Sequence, residues 1–97
     1  MDNFNGSMIE QLDFSRNKLV SEDIKSVCEL IKCKPKHLRI INLRDNLIRE
    51  EAGDDLVNAL KGNHNIIKLC LDINPVKHVI FKEIEHITKR NLENMKE

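Results

Sequence analysis

Tryptophan and tyrosine are absent from this chain, and phenylalanine occurs only three times. The large rings that usually anchor binding hot spots are therefore nearly missing. Glycine is confined to Gly6, Gly53 and Gly62, so no glycine-rich loop can cradle a phosphate, and neither G-x-S-x-G nor H-E-x-x-H occurs. A surplus of charge is missing too. Lys plus Arg is 16 and Asp plus Glu is 16. A chain living on phosphate contacts needs a cationic excess, which argues against a nucleic-acid partner. No apolar run approaches the roughly 20 residues that span a bilayer. The start, Met1 to Asn5, lacks the basic and apolar stretches of a secretory leader. The expectation is a cytoplasmic protein with neither nucleic acid nor membrane as partner.

Disulfides and metals are disfavoured as well. Cys28, Cys33 and Cys70 are an odd set without a C-x-x-C, which fits reduced thiols better than a disulfide framework. His37, His64, His78 and His86 are not closely paired. His78 and His86 would sit about 80° apart around a helix, too far for easy convergence on one ion. No metal and no cofactor is expected. Asp54–Asp55 and Glu50–Glu51 read as favourable charge at a helix start rather than as an acid–base pair. No catalytic residue is assigned, and the chain is not expected to be an enzyme.

What is present is a repeat. With 97 residues, 40% hydrophobic and 33% charged, the chain suits one small domain. Three segments align in L-x-x-L-x-L-x-x-N-x-L form: Ile9 to Leu19, Leu38 to Ile48, and Ile66 to Val76. Asn17, Asn46 and Asn74 fall at matching positions. The spacers carry apolar stripes of helical period: Ile24, Val27, Leu30 and Ile31; then Ala52, Gly53, Leu56, Ala59 and Leu60; then Ile80, Phe81, Ile84 and Ile87. Ser21 is the expected N-cap of the first helix, Pro35 limits it, and Gly62–Asn63 closes the second. The pattern predicts strands near 11–14, 40–43 and 68–71, and helices near 21–33, 50–61 and 77–93.

These segments resemble leucine-rich repeats, and the long period resembles the ribonuclease-inhibitor-like subclass. The likeness covers about residues 9–91. It implies an α/β fold, a short right-handed solenoid with three parallel strands on the concave side and three helices on the convex side. The repeats would run over about 9–37, 38–65 and 66–91, with a helical cap to 97. In that family the asparagines form a ladder between coils, which implies this role for Asn17, Asn46 and Asn74. Members include a ribonuclease inhibitor, the activator of the Ran GTPase, tropomodulin and innate immune receptors, so the scaffold alone does not specify a function.

Alternation along each strand points Leu12, Phe14, Ile41, Leu43, Leu69 and Leu71 inward and their neighbours outward. The outward set makes three rows: Gln11, Asp13, Ser15 and Arg16; Ile40, Asn42, Arg44 and Asp45; Lys68, Cys70, Asp72 and Ile73. Arg44 should stand beside Asp72, and Arg16 beside Asp45. One reading is local ion pairing on a solvated sheet. The other is a docking surface centred on Arg44, using Asp13, Arg16, Ile40, Asn42, Asp45, Lys68, Cys70 and Asp72 around it. Cys70 is expected to be an inert thiol.

The ends of the array need covering. Leu92 and Met95, on the extended third helix, are expected to close the last coil. Residues 1–8 are polar and read as an N-terminal segment or a cloning remnant, with Gly6–Ser7 ahead of Met8. Either the chain belongs to a longer array, or the first strand is an open edge that pairs with a partner or a second copy, unless Phe4 folds over it. The leading functional expectation is a non-catalytic protein-interaction or scaffold module. The alternatives are a regulator of an enzyme, such as a GTPase activator or inhibitor, and a cytoskeletal filament-end binding protein.

Overall fold

A computed structural model describes residues 9–95, which form three strand–helix units. In chain order they are β1 (Gln11–Asp13), α1 (Ser21–Lys32), β2 (Ile40–Asn42), α2 (Glu50–Lys61), β3 (Lys68–Cys70) and α3 (His78–Met95). The strands form one parallel sheet in the order β1-β2-β3. Gln11, Ile40 and Lys68 lie in one row across it, and Asp13, Asn42 and Cys70 in another. This is the expected alternating α/β repeat architecture. Pairing outlasts each three-residue strand: the Phe14 N–H donates to the Asn42 carbonyl and the Leu43 N–H to the Cys70 carbonyl, both at 2.8 Å. Phe4 and the Gly6–Ser7 pair lie outside the described residues.

The core lies between the sheet and the helices. Ile41, Leu43, Leu69 and Leu71 enter it from the strand side, and Ile24, Val27, Ile31, Leu56, Leu60, Ile80 and Ile84 from the helices. Cys28 and Val57 join them, although the sequence stripe did not include either. Complete burial of one such aliphatic side chain contributes roughly 1.5–3 kcal/mol. Leu12 and Phe14 are only half-buried, because β1 has a neighbouring coil on one side alone. Gly53 is buried where α3 begins. A Cβ there would stand 3.2 Å from Cγ2 of Ile80 and 3.3 Å from Cγ1 of Val76, so the glycine permits this close approach.

Two expectations about helix ends need correction. Ser21 is the first helical residue, and Val20 holds the cap position instead. An isolated bridge to Leu47 keeps Val20 extended, and the Asp23 carboxylate accepts the Val20 N–H at 2.9 Å. Leu92 and Met95 are exposed rather than packed over the last coil. The buried face of α3 runs through Ile80, Ile84, Ile87, Thr88 and Asn91; Leu92 is turned about 100° from Asn91, while Met95 shares the face one turn beyond the last buried residue, at the end of the helix.

Amides tie the coils together. The Asn46 Nδ2 donates to the carbonyls of Phe14 (3.1 Å) and Leu43 (3.0 Å), while its Oδ1 accepts the N–H groups of Asn17 (2.9 Å) and Leu19 (3.0 Å). Asn74 repeats the pattern one coil on. Its Nδ2 donates to Leu43 (2.8 Å) and Leu71 (3.0 Å), and its Oδ1 accepts from Asn46 (3.2 Å) and Ile48 (3.0 Å). Asn17, expected in the same ladder, departs from it. Its side chain is exposed and has no hydrogen-bond partner among the described residues, which include no earlier coil to receive the amide.

A second set of amides joins the helix C-terminal ends. Asn63 donates through Nδ2 to the Ile31 carbonyl, and Asn91 donates to the carbonyls of Asn63 and Ile66. The Arg90 guanidinium is held against the Asn91 Oδ1 at 2.8 Å and donates to the Asn63 carbonyl. Replacing Asn46 with Ala strands inward-facing donors and acceptors of two coils. It should cost about 1–3 kcal/mol. Asn94→Ala, on an exposed position of α3, should be nearly silent, and thermal melting of the two variants checks the difference.

Candidate protein-binding face

The outer face of the sheet is built from side chains at alternate strand positions, so its backbone is fixed by the parallel ladder on the core side. Asp13, Arg44, Lys68 and Asp72 are exposed there, while Ile40, Asn42 and Cys70 are half-buried. Arg16 and Asp45 are exposed at the turns beyond the strands. Between the rows lies a hollow of about 210 Å³, bordered by Asp13, Ile40, Asn42, Lys68 and Cys70. The face therefore unites the strand residues singled out in the sequence and leaves the turn residues at its margin.

Its electrostatics are modest. The Arg44 Nη1 stands 3.6 Å from the Asp72 carboxylate, with both side chains open to water. Such a pair contributes about 0–1 kcal/mol. Arg16 and Asp45, although neighbours in register and both in left-handed turns, form no ion pair within 4 Å. The side chains also shape the strand ends. The Asp13 Oδ1 accepts the Ser15 hydroxyl at 2.6 Å and the Ser15 N–H at 2.9 Å, which holds its carboxyl below the usual range. The Asn42 Oδ1 accepts the Arg44 N–H at 2.9 Å in the same way. Cys70 occupies this place in the third coil without a side-chain oxygen.

One strained position lies at the margin. Arg16, Asp45 and Ile73 each precede a repeat asparagine, and each has φ of 59°. Asp tolerates that left-handed region, but for a β-branched side chain it is a true outlier. Ile73 is also 59% exposed, so burial does not compensate. Ile73→Asn should therefore raise stability by about 1 kcal/mol, read as a higher denaturant midpoint with an unchanged slope.

The described residues contain no cluster of three or more His, Cys, Asp or Glu placed to hold a metal ion. None of the described helices is long and apolar enough to cross a membrane. The cysteines are free: Cys28 is buried, Cys33 exposed and Cys70 intermediate. Burial, followed by the nearby Asp55 charge, pushes the Cys28 thiol up to about 11. In the unfolded chain it ionises near 9, so its contribution to stability is full below that pH and is lost as pH rises through 11. Alkylation at pH 8 should modify Cys33 first and leave Cys28 unreacted until denaturant is added, as peptide mass spectrometry will report.

Sequence reasoning placed Asn63 only at the close of the second helix, and missed the contacts between coils that Asn63, Arg90 and Asn91 make. A signal was available: Asn63 and Asn91 are 28 residues apart, as are Asn46 and Asn74. Their position outside the strand motif concealed it.

No family model and no curated protein matches the chain. Solved structures do. One, described as "Leiomodin-1 Actin-Binding Site 2 (ABS2)", superimposes with a TM-score of 0.70 at 10% identity. It covers 96% of this chain and 70% of the other. Another, the tropomodulin C-terminal domain of Caenorhabditis elegans, has a TM-score of 0.53 at 13% identity and covers 91% of this chain and 70% of the other. Likeness at these identities is a likeness of fold.

Proposed function

We propose that this chain is a non-catalytic, intracellular protein-binding module that presents its sheet face to a cytoskeletal filament protein, with actin as the partner. The observation that carries the binding-module reading is the polar set Asp13, Asn42, Arg44, Lys68 and Asp72 on and just beyond the strands of a sheet whose backbone is already ordered. The backbone that carries these side chains loses little further entropy when a partner docks. Arg44, on the middle coil just past β2, is available for exchange, since its contact with Asp72 is long and water-exposed. The choice of partner is supported by the fold shared with a domain named for an actin-binding site. A scaffold for some other protein is the second reading, favoured by the mixed charge of the same set.

Co-sedimentation with actin filaments, and titration against monomeric actin, test this. Arg44→Glu places like charge beside Asp72 and should weaken binding at least tenfold, about 1.4 kcal/mol. Lys82→Glu, on the exposed side of α3, should bind like the wild type. Unchanged affinity for Arg44→Glu together with loss for Lys82→Glu would move the site to the helix face. Absence of wild-type binding to both forms of actin would remove actin as the partner and leave the scaffold reading.

A further inference from the structure

The two ends of the array carry complementary sets of unpaired backbone groups. In a parallel sheet, alternate residues of a strand bond to opposite neighbours. In the first coil the N–H groups of Phe14, Arg16 and Asn17 donate to the Asn42 carbonyl, the Arg44 carbonyl and the Asn46 Oδ1. In the second, those of Leu43, Asp45 and Asn46 donate to the Cys70 carbonyl, the Asp72 carbonyl and the Asn74 Oδ1. The matching donors of the third coil are the N–H groups of Leu71, Ile73 and Asn74, and none has an acceptor among the described residues. At the other end, the matching acceptors are the Asp13 carbonyl, the Ser15 carbonyl and the Asn17 Oδ1. Each faces away from β2 and has no donor among the described residues.

Apolar surface follows the same division. Leu12, Phe14 and Leu19 are packed against the core yet only partly buried at the first coil. Beside β3 a hollow of about 380 Å³ mixes partly buried Phe81 with Lys68, Asp72 and Glu85, over Leu69, Leu71 and Ile84, which are already buried. The formal net charge is zero, so no long-range repulsion opposes contact between copies.

We propose that a second copy of this chain docks its first coil on the third coil of the first, head to tail. The step between copies continues the internal repeat, with Asp13 beside Cys70, Ser15 beside Asp72, and Asn17 entering the ladder after Asn74. Because the contact is heterologous, it leaves one free end of each kind and grows into short linear arrays rather than closing as a symmetric dimer. The proposal stands on the edge geometry and does not depend on actin.

Oxidative trapping tests the register. In a Cys33→Ser background, Asp13→Cys places a thiol beside Cys70 of the next copy, one strand spacing of about 4.8 Å away. Within one chain the two positions are separated by β2, about twice that spacing and beyond the roughly 7 Å limit for a bridge. Oxidised glutathione should then give a reducible series of dimers, trimers and longer species, and Cys70→Ser should abolish it. Asn17→Ala, whose side chain bonds nothing among the described residues, should leave melting unchanged. It should weaken association about tenfold in sedimentation velocity without the added thiol.

A monomer at all concentrations over a hundredfold dilution series overturns the proposal. So does a covalent series that stops at dimers and survives Cys70→Ser, which would mean a symmetric edge-to-edge pair.

Discussion

The amide of Asn46 is the interaction on which the array depends. A coil must turn sharply after its strand, and the turn points backbone N–H and C=O groups inward, away from water. Left unpaired, each would cost about as much as a lost buried hydrogen bond. One asparagine side chain offers two donors and an acceptor, enough to serve its own coil and the coil before it. Asn46 and Asn74 do this in succession, and Asn63 and Asn91 do so on the helix side. No buried side-chain nitrogen or oxygen among the described residues is left without a partner.

The same dependence explains why the two ends differ from the middle. An asparagine in this place is useful only if a coil precedes it, so Asn17 stands exposed while Asn46 is buried. The apolar residues grade in the same direction: Phe14 is half-buried where Leu43 and Leu71 are closed. At the third coil α3 supplies the covering layer through Ile84 and Ile87, but it leaves the outer edge of β3 unpaired. Repeat chemistry is thus written for neighbours, and the terminal units expose what the interior consumes.

The sheet face follows from the ladder rather than from any motif of its own. Fixing each strand in register aligns Asp13, Asn42 and Cys70 across the sheet and brings Arg44 next to Asp72. The charges are spread and water-exposed, which suits reversible contact with a protein surface better than enclosure of a small molecule.

Period and residue type are local properties, and they were enough to read the fold. The spacing of Leu12, Ile41 and Leu69, and of Asn17, Asn46 and Asn74, determined the three units, their order, the inward residues and the face that Arg44 shares with Asp72. Four things depended on the coils being stacked. The Val20–Leu47 bridge, between units, put the cap of α1 at Val20 and made Ser21 the first helical residue. Where the stack of coils stops beneath α3 decided that Asn91 is buried and that Met95, one turn further along the same face, is not. Side-chain placement at the turns left Arg16 and Asp45 unpaired even though their register is adjacent. Position at the end of the stack, which no single repeat encodes, separated an exposed Asn17 from a buried Asn46. A repeat sequence specifies what each unit offers to a neighbour, and only the assembled array determines whether a neighbour is there to take it.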